Sequence, residues 1–393
     1  MNLININNIN IDNYDLLIVG AGFVGAVIAQ LSAKEGKKVL VIEKRQQAGG
    51  NMHDEINPYG IRIQKYGPHI IHTDNEDVIT YLNQFTEFSQ QKLEYNVYMN
   101  EKFTPSPFNL TTIDDFFSKN KAKDIKHILL STYPNRKFVT IVELLKSKNT
   151  LIKEYADFLY NNDYSLYTAK QWGIDPKEIN ISVLKRVPVS LTYETGYFNN
   201  KYQVFPSKGY DFLFHNILDS ANIDMCFNTN ALNHLKIQNN AMYFNGILLK
   251  NKLIYTGSLD KLFNNKYGKL PYRSLSFKYI TLQKKEFQSV PVVAYPQEKT
   301  YTRITEYTKF PNQISNFTTI AYEYPIDYSE KNEPYYPIFT KNNELLYYKY
   351  LNLAKNIPNL IVAGRLADYK YYNMDDAILR AFEIFKKNLK ESF

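Results

Sequence analysis

Cysteine, tryptophan and glycine are scarce in this chain of 393 residues, which contains one, one and 15 of them, respectively. A single cysteine, Cys226, excludes an intramolecular disulfide and is typical of proteins kept in a reducing compartment. We therefore predict a cytoplasmic protein in which Cys226 is a small, buried, apolar side chain.

Long apolar runs are also missing. The longest runs, around 16–19 and 39–42, are far shorter than the ~20 residues that a membrane-spanning helix requires. The first segment, MNLININNINIDN, has neither the basic region nor the cleavage site of a signal peptide. We predict that residues 1–13 form a flexible tail and that no segment inserts into a membrane.

Positive charge is present but is not concentrated. The formal net charge is +8, yet the lysines are spread along the chain with acidic residues between them. Nucleic-acid-binding proteins more often present a basic stripe or a recognisable module. The composition therefore favours a solvated surface with a few functional arginines, and we predict no nucleic-acid partner.

The most informative stretch is a βαβ unit at residues 14–43. An apolar strand leads into a GxGxxG turn, a helix and a second apolar strand that ends on Glu43. In such a unit the first glycine permits a tight turn, the second lets a pyrophosphate approach the backbone, and the third lets helix and strand pack closely. Glu43 is placed to accept hydrogen bonds from an adenosine ribose. The pattern predicts a dinucleotide site whose turn residues are Gly20, Gly22, Phe23 and Gly25.

A second glycine turn follows this acid and indicates which dinucleotide is bound. A nicotinamide-binding domain does not usually need a further glycine turn at this point, so the turn favours FAD. The predicted cofactor contacts of this stretch are Lys44, Gly50 and Asn51.

Two histidines, His69 and His72, lie in the segment KYGPHIIHT, where glycine and proline indicate a turn. A metal site is not indicated, because no cysteine or carboxylate lies at ligand spacing from them. We predict that the turn presses backbone or imidazole onto the flavin, with His69 in contact. A hydrogen-bonded core histidine is an equal alternative for His72.

The middle of the chain divides into a helical and a strand-rich part. Residues 77–166 carry apolar residues at helical spacing, and 167–172 holds the only tryptophan among polar neighbours, as in the wall of a site. Residues 204–255 and 272–324 alternate polar and apolar residues and predict antiparallel strands.

A second βα turn is predicted near the carboxyl end. A strand at 359–364 precedes a helix at 375–388, with Arg365 at the junction, and another strand ends on Gly257. These elements would return the chain to the first sheet, so the cofactor domain is predicted to be discontinuous.

From Tyr14 onward, the motifs together resemble one family along nearly the whole chain: the UDP-galactopyranose mutases and related nucleotide-sugar pyranose–furanose mutases. Each motif alone is weak evidence, but their order and spacing are highly specific. They are GAGFVGA with IEKR, KYGPHIIHT, PFNL, YTAKQW, KRVPV, YTGSLD, YRSLSF, YTRITE, EPYYP and GRLADYKYYNMDDAI.

The resemblance implies an α/β protein in which a discontinuous FAD-binding Rossmann-like domain carries an inserted helical domain and an antiparallel β-sheet domain. The expected boundaries are 14–90, 204–254 and 338–393 for the FAD-binding domain, 91–185 for the helical domain with a mobile lid near 163–182, and 186–203 with 255–337 for the sheet domain.

The resemblance also implies an unusual isomerisation. N5 of the reduced flavin attacks the anomeric carbon, the nucleoside diphosphate leaves, and a covalent flavin–sugar iminium intermediate lets the ring open and reclose as a furanose. The diphosphate then adds again, so there is no net redox change. The expected cofactor is reduced FAD, the expected substrate is a UDP-galactose-like nucleotide sugar, and the expected assembly is a homodimer. The product would feed the synthesis of a surface polysaccharide.

Residues that match the family's functional motifs are expected to form the site. Arg186 and Arg365 would hold the diphosphate, because a charged leaving group requires preorganised positive charge, and with His69 they are the expected catalytic residues. The expected substrate contacts are Tyr167, Trp172, Arg186, Tyr197, Tyr336, Arg365, Tyr371, Asn109 and Asp163. Further expected cofactor contacts are His69, Gly257, Arg273, Arg303, Gly364 and Met374, and no metal is expected.

The chain departs from the family's usual motifs at Ser190, Ala294, Asn373 and Asp163, and at 194–198, where ETGYF replaces DNxYF. Asp163 stands where an aromatic residue would stack on the base. A carboxylate cannot stack there, but it can accept two N–H bonds, as a guanine edge would offer. The candidate substrates therefore include other UDP-hexoses, dTDP-deoxyhexoses and a GDP-linked heptose.

Two other functions compete with the mutase. An FAD-dependent oxidoreductase of the amine-oxidase type would share the FAD domain but would not explain Arg186, Arg365 and the tyrosines, which indicate a diphosphate ligand. Turnover without net electron flow distinguishes these two. A non-catalytic nucleotide-binding protein would need no reduced flavin.

Overall fold

The computed structural model describes residues 1–175, 177, 184 and 187–390. Within these residues the strands are β1 (Asn2–Leu3), β2 (Leu16–Val19), β3 (Val39–Ile42), β4 (Asp54–Ile56), β5 (Arg62–Gln64), β6 (Ile71–Thr73), β7 (Phe88–Gln90), β8 (Tyr95–Met99), β9 (Lys102–Pro105), β10 (Phe138–Val139), β11 (Val189–Ser190), β12 (Tyr202–Pro206), β13 (Ile223–Cys226), β14 (Leu235–Gln238), β15 (Ala241–Phe244), β16 (Ile247–Leu248), β17 (Lys252–Tyr255), β18 (Tyr272–Leu282), β19 (Val292–Ala294), β20 (Arg303–Glu306), β21 (Thr318–Asp327), β22 (Tyr336–Pro337) and β23 (Leu360–Val362).

The α-helices in the same part of the chain are α1 (Phe23–Lys34), α2 (Glu76–Leu82), α3 (Leu110–Phe116), α4 (Lys119–Thr132), α5 (Ile141–Leu145), α6 (Thr150–Leu159), α7 (Ser165–Trp172), α8 (Gly209–Leu218), α9 (Leu259–Leu262), α10 (Lys341–Lys355) and α11 (Met374–Ile384). Two π-helical turns, Tyr160–Tyr164 and Phe385–Leu389, continue α6 and α11.

Six parallel strands form one sheet in the order β1-β13-β3-β2-β17-β23. β2 and β3 contain only Leu, Ile and Val, because both faces of a parallel sheet are covered. Helices α1, α8 and α11 pack on one face, and the antiparallel strands β14–β16 with α10 cover the other. The predicted fold class, an α/β protein with a Rossmann-like domain, is confirmed.

The amino-terminal segment belongs to this sheet, which corrects the prediction of a flexible tail at residues 1–13. Asn2 and Leu3 pair with β13 as an edge strand, and Ile11 is buried. Composition alone could not reveal this pairing, because the partner of Asn2 lies 222 residues later in the chain.

A second sheet has seven strands in the order β22-β18-β21-β20-β19-β8-β9. Its pairs are antiparallel except β8 with β19, which corrects the purely antiparallel sheet expected. β8 and β9 also correct the helical prediction for residues 77–166 and the start of the helical domain at residue 91. The segment YNVYM of β8 alternates buried and half-buried side chains, as a strand at a sheet surface does.

The segment 204–255 is only partly antiparallel. β13 and β17 belong to the parallel sheet, and α8 lies where strands were predicted. The buried side chains of α8 recur at helical spacing, namely Tyr210, Leu213, Phe214, Ile217 and Leu218. The periodicity in this sequence therefore indicated the helix that the prediction missed.

Helices α3 to α7 form a cluster that shares its core with the β8–β19 side of the mixed sheet. Tyr95 and Val97 of β8 and Val292 of β19 are buried with the helical side chains. In the part of the chain that the structure describes, no helix is both long and apolar enough to cross a bilayer.

Candidate active site

The glycine turn between β2 and α1 lies at the carboxyl edge of the parallel sheet. Gly20 has a φ of +102°, and a Cβ there would lie 2.1 Å from Thr256 Oγ1. A Cβ on Gly25 would lie 1.9 Å from the carbonyl oxygen of Gly20, whereas a Cβ on Gly22 would meet nothing within 4 Å. The packing of the protein itself therefore requires Gly20 and Gly25. Gly22 instead faces open space at the start of α1, where N–H donors favour an anion.

Glu43 joins this turn to the glycine turn that follows β3. Its buried carboxylate accepts hydrogen bonds from the backbone N–H of Ala21 at 2.8 Å and of Arg45 at 2.9 Å. The N–H of Gly49 donates to the carbonyl of Ala21 at 2.9 Å. A Cβ on Gly50 would lie 3.5 Å from the Cα of Gly22. The two glycine turns and Glu43 therefore lie around the same space at the carboxyl edge of the sheet.

Arg45 is a further residue of this region, with a side chain that is only 12% exposed. Its Nη2 donates to Asn51 Oδ1 at 2.9 Å and lies 3.0 Å from Glu333 Oε2, and its guanidinium lies over the ring of Tyr66. Lys44, which was predicted to contact the cofactor, is half-exposed and pairs with Glu333. The motif IEKR contained both side chains, but only the fold shows which one turns inward.

The second βα turn, from β23 to α11, closes the same edge of the sheet. Gly364 has a φ of +112°, and a Cβ there would lie 3.6 Å from Val24 in the first turn of α1. Three more residues were predicted to contact the cofactor, and none of them has an exposed side chain. Gly257 is packed against Tyr255, Met374 is partly buried in the core, and the ring of Phe23 is buried against Phe214, so any contact of Phe23 would use its backbone.

Arg365 follows Gly364 and differs from the other arginines. The chain has eight arginines, and all but Arg186 lie among the described residues. Six of these seven pair with a carboxylate, whereas Arg365 has none within ion-pair distance in the described part of the chain. Burial lowers the pKa of Arg365, because the charged form loses its hydration. A charge that loses hydration without gaining a carboxylate partner is costly, so this half-buried position suits an anionic ligand.

Arg303 lies in a cluster of tyrosines beside Arg365. Nε of Arg303 donates a hydrogen bond to Glu323. The charge of Arg303 interacts with the hydroxyls of Tyr95, Tyr167 and Tyr336. The ring of Tyr336 stacks on Tyr371 with centroids 6.3 Å apart, and Tyr197 stacks on Tyr95 with centroids 4.8 Å apart. The fold therefore brings five predicted site residues together, Arg303, Tyr167, Tyr197, Tyr336 and Tyr371, and adds Tyr95, which no motif indicated.

His69 completes this cluster. Its Nδ1 lies 2.8 Å from the carbonyl oxygen of Gly67. Burial lowers the pKa of His69 to about 4, and the charges of Arg365 and Arg303 act in the same direction, so the imidazole is neutral at pH 7. His72, by contrast, stacks on Phe198 and bonds to Asn200, which agrees with the structural alternative for this residue.

The predicted substrate contacts on the helical side lie in and before α7. Trp172 is the last residue of α7, and Asp163 lies in the π-helical turn before it. Burial raises the pKa of Asp163 to about 7, although the charge of Lys170 opposes this shift. Arg186, the first predicted diphosphate ligand, lies outside the described residues.

Two residues predicted to contact a ligand also have structural roles. Asn109 is 1% exposed and caps α3: its Oδ1 accepts from the N–H of Thr111, and its Nδ2 donates to the carbonyl of Glu194. Arg273 donates from Nε to the carbonyl of Gln171 at 3.1 Å and pairs with Asp327. These side chains therefore cap α3 and support the end of α7, and the substrate contact of Asn109 and the cofactor contact of Arg273 stay predictions.

Three of the positions that depart from the motifs also have local structural roles. Asn373 forms a capping box at the start of α11, Ala294 is buried in β19, and the hydroxyl of Ser190 lies 3.1 Å from that of Thr192. Across the described ranges, no group of three or more His, Cys, Asp or Glu side chains is arranged to hold a metal ion.

Known proteins match this chain in sequence and in fold. Residues 162–371 match the family described as UDP-galactopyranose mutase, and residues 18–85 match an NAD(P)-binding Rossmann-like domain. A UDP-galactopyranose mutase of Mycoplasma genitalium is 35% identical over 94% of this chain and 94% of its own length. A dTDP-fucopyranose mutase of Escherichia coli is 32% identical over 96% of this chain and 99% of its own length. A crystal structure of reduced UDP-galactopyranose mutase has the same fold, with a TM-score of 0.73 and 15% identity over 96% of this chain and 94% of that chain.

Proposed function

Since this chain belongs to the UDP-galactopyranose mutase family, we propose that it interconverts the pyranose and furanose forms of a nucleotide-linked hexose with no net redox change. The names of the two relatives cited above make UDP-galactose and dTDP-fucose the first candidate substrates. Asp163 adds a GDP-linked sugar as a third candidate, because its carboxylate can accept two N–H bonds from guanine.

The observation that carries this proposal is the position of Arg365. Its half-buried guanidinium lies beside Tyr336 and Tyr371, and no carboxylate in the described ranges neutralises it. The neighbouring Gly364 packs near the first turn of α1. A diphosphate bound here would supply the missing negative charge through charge-assisted hydrogen bonds, which are among the strongest in proteins.

FAD fits the glycine edge of the parallel sheet. The space beside Gly22 and Gly50 would accept the pyrophosphate at the start of α1, and Glu43 would accept hydrogen bonds from the ribose. The residues that we propose to hold it are Gly20, Gly22, Gly25, Glu43, Gly50, Asn51, Gly257 and Gly364, with Arg45 and His69 beside them. Bound in its reduced form, FAD would supply the nucleophile for the anomeric carbon and regain its electrons within each turnover.

The surrounding side chains would act by position and charge. Arg365 would stabilise the negative charge that develops on the departing diphosphate, and Arg186 is proposed to join it. Burial raises the pKa of both Tyr167 and Tyr336, so their hydroxyls remain protonated donors at neutral pH. Such donors would hold phosphate oxygens in a fixed orientation while the sugar ring opens and closes.

The wider setting is proposed on the resemblance alone. The protein would act as a cytoplasmic homodimer, and its furanose product would be a donor for a surface polysaccharide.

The test is anaerobic turnover by the purified, FAD-loaded protein, with and without dithionite. UDP-galactopyranose, dTDP-fucopyranose and a GDP-linked heptose are offered separately, and the two ring forms are resolved by chromatography. We expect a furanose product from one of them only in the presence of reductant, with no reductant consumed after the flavin is reduced. Reducible FAD with no furanose from any of the three would overturn the proposal.

A further inference from the structure

The side chain of Lys170 attaches α7 to the mixed sheet. Its Nζ donates hydrogen bonds to three backbone carbonyl oxygens of one loop: that of Tyr295 at 2.7 Å, that of Tyr301 at 2.8 Å, and that of Glu298. We name residues 295–301, which lie between β19 and β20, the carbonyl loop. Its carbonyl groups surround the ammonium group of a helix that lies far away in sequence.

The carbonyl loop leads directly into the candidate active site. Arg303 begins β20 two residues after Tyr301. Tyr167 precedes Lys170 by three residues and therefore lies on the same face of α7. The hydroxyl of Tyr167 interacts with that of Tyr95 and with the charge of Arg303. Lys170 thus connects the helix that carries Tyr167 to the loop that precedes Arg303.

Two other contacts hold the same region but are individually weaker. Gln297 of the carbonyl loop donates to Asn162 Oδ1 at 3.2 Å, and Arg273 donates to the carbonyl of Gln171 at 3.1 Å. Lys170 differs because its one ammonium group donates to three carbonyl oxygens, which replace its hydration in a partly buried position. The carboxylates that face it are those of Asp163 and Glu298.

We propose that Lys170 is a positioning residue: it holds α7 on the carbonyl loop and thereby sets Tyr167 against Arg303 for substrate binding. The inference rests on the proposed function, because it takes the nucleotide sugar as the ligand. Lysine suits this role since its compact ammonium group has three donors, which match three converging carbonyl groups. The planar guanidinium of arginine cannot donate to all three carbonyl oxygens at once.

Steady-state kinetics of Lys170→Ala provide the first test. We expect KM for the nucleotide sugar to rise at least about tenfold, because charge-assisted hydrogen bonds are lost, while kcat changes by less than about threefold. Methylammonium should lower KM again, since it can occupy the vacated position among the carbonyl oxygens. The matched control is Lys153→Ala, an exposed lysine of α6, which should behave as wild type with and without methylammonium.

Trp172 provides a second readout that does not depend on activity. It is the only tryptophan and lies two residues after Lys170 in α7. We expect acrylamide to quench its fluorescence more strongly in FAD-loaded Lys170→Ala than in wild type, and methylammonium to reverse the difference. If wild type is inactive on every nucleotide sugar, the proposed function fails, and this measurement still decides whether Lys170 holds α7.

The inference is overturned if FAD-loaded Lys170→Ala shows wild-type KM or wild-type quenching, or if methylammonium restores neither. If Lys170→Ala does not retain FAD, the same measurements on Lys170→Arg decide whether Lys170 positions α7. This variant keeps the charge but cannot reach all three carbonyl oxygens, so wild-type values would contradict the role of Lys170.

Discussion

The carboxylate of Glu323 accepts a hydrogen bond from Nε of Arg303 at 2.7 Å, and its Oε2 lies 2.6 Å from Nη2. Glu323 is almost fully buried, so Arg303 is fixed in place and its charge is neutralised within the fold. Arg365, in the same cluster, has no carboxylate partner among the described residues. The two arginines therefore differ: Arg303 is preorganised by the protein, and Arg365 is available to an external anion.

Replacing Arg365 should remove most of the activity. We expect Arg365→Ala to lower kcat/KM by about 100-fold or more while the protein remains yellow, because charge stabilisation in the transition state is lost. Arg136→Ala is the matched control, since Arg136 pairs with Glu143 at the exposed surface. Measuring FAD affinity alongside the kinetics separates the two diphosphates that Arg365 could contact. Near-full activity of Arg365→Ala would show that Arg365 does not bind the diphosphate. The same test applies to Arg186→Ala.

Alanine at Gly22 and at Gly25 should have different consequences. Gly25→Ala forces a Cβ onto the carbonyl of Gly20, so we expect a marked loss of thermal stability even without cofactor. Gly22→Ala meets no protein atom, so the apoprotein should keep its melting temperature, but its FAD affinity should fall because the Cβ occupies the cofactor's space. Unchanged FAD affinity of Gly22→Ala would contradict the proposed pyrophosphate position.

His69 should make the protein less stable in mild acid. Burial lowers its pKa from 6.5 to about 4, so the unfolded chain takes up the proton first as the pH falls. The contribution is complete above pH 6.5 and is lost between pH 6.5 and 4, at a cost of up to about 3 kcal/mol. Urea unfolding at pH 7.5 and 4.5 should show a smaller pH-dependent loss for His69→Gln than for wild type. Equal losses would exclude His69 as the cause.

Asp163 should act in the opposite direction. Burial raises its pKa from 3.8 to about 7, so the folded protein retains a proton that the unfolded chain has released. The stability contributed by this proton is lost as the pH rises from 3.8 to 7. We expect Asp163→Asn to unfold at higher urea concentration than wild type at pH 8, and at the same concentration near pH 4. A variant that is no more stable than wild type at pH 8 would contradict this ionisation.

Asp163 also allows a test of base preference. If its carboxylate accepts N–H bonds from guanine, Asp163→Phe should weaken binding of GDP relative to UDP. Calorimetric titration of both nucleotides measures the ratio directly, and Tyr98→Phe serves as a control aromatic change. An unchanged ratio would remove the argument for a purine nucleotide.

Local patterns in the sequence predicted the glycine-rich edge of the site well. The GxGxxG turn, the acid after β3 and the strand before Arg365 lie at one sheet edge, because parallel strands connected by helices place their carboxyl ends together. Long-range pairing was not predictable in this way. The pairing of Asn2 with β13, the contribution of β8 to the mixed sheet and the approach of Glu333 to Arg45 depend on segments far apart in sequence.

The sequence by itself determined that two glycine turns and an acid form a dinucleotide edge, because these residue types are demanded by backbone conformation within a few residues. It also determined which side chains have the chemistry to bind a diphosphate. Only the tertiary structure decided that Glu323 neutralises Arg303 while no described carboxylate neutralises Arg365, and that Arg45 rather than Lys44 turns inward. It also decided that Asn109 caps α3 and that Arg273 supports the end of α7. Each of these outcomes depends on which charges and carbonyl groups the fold brings within hydrogen-bond distance, and neither local propensity nor periodicity encodes that distance.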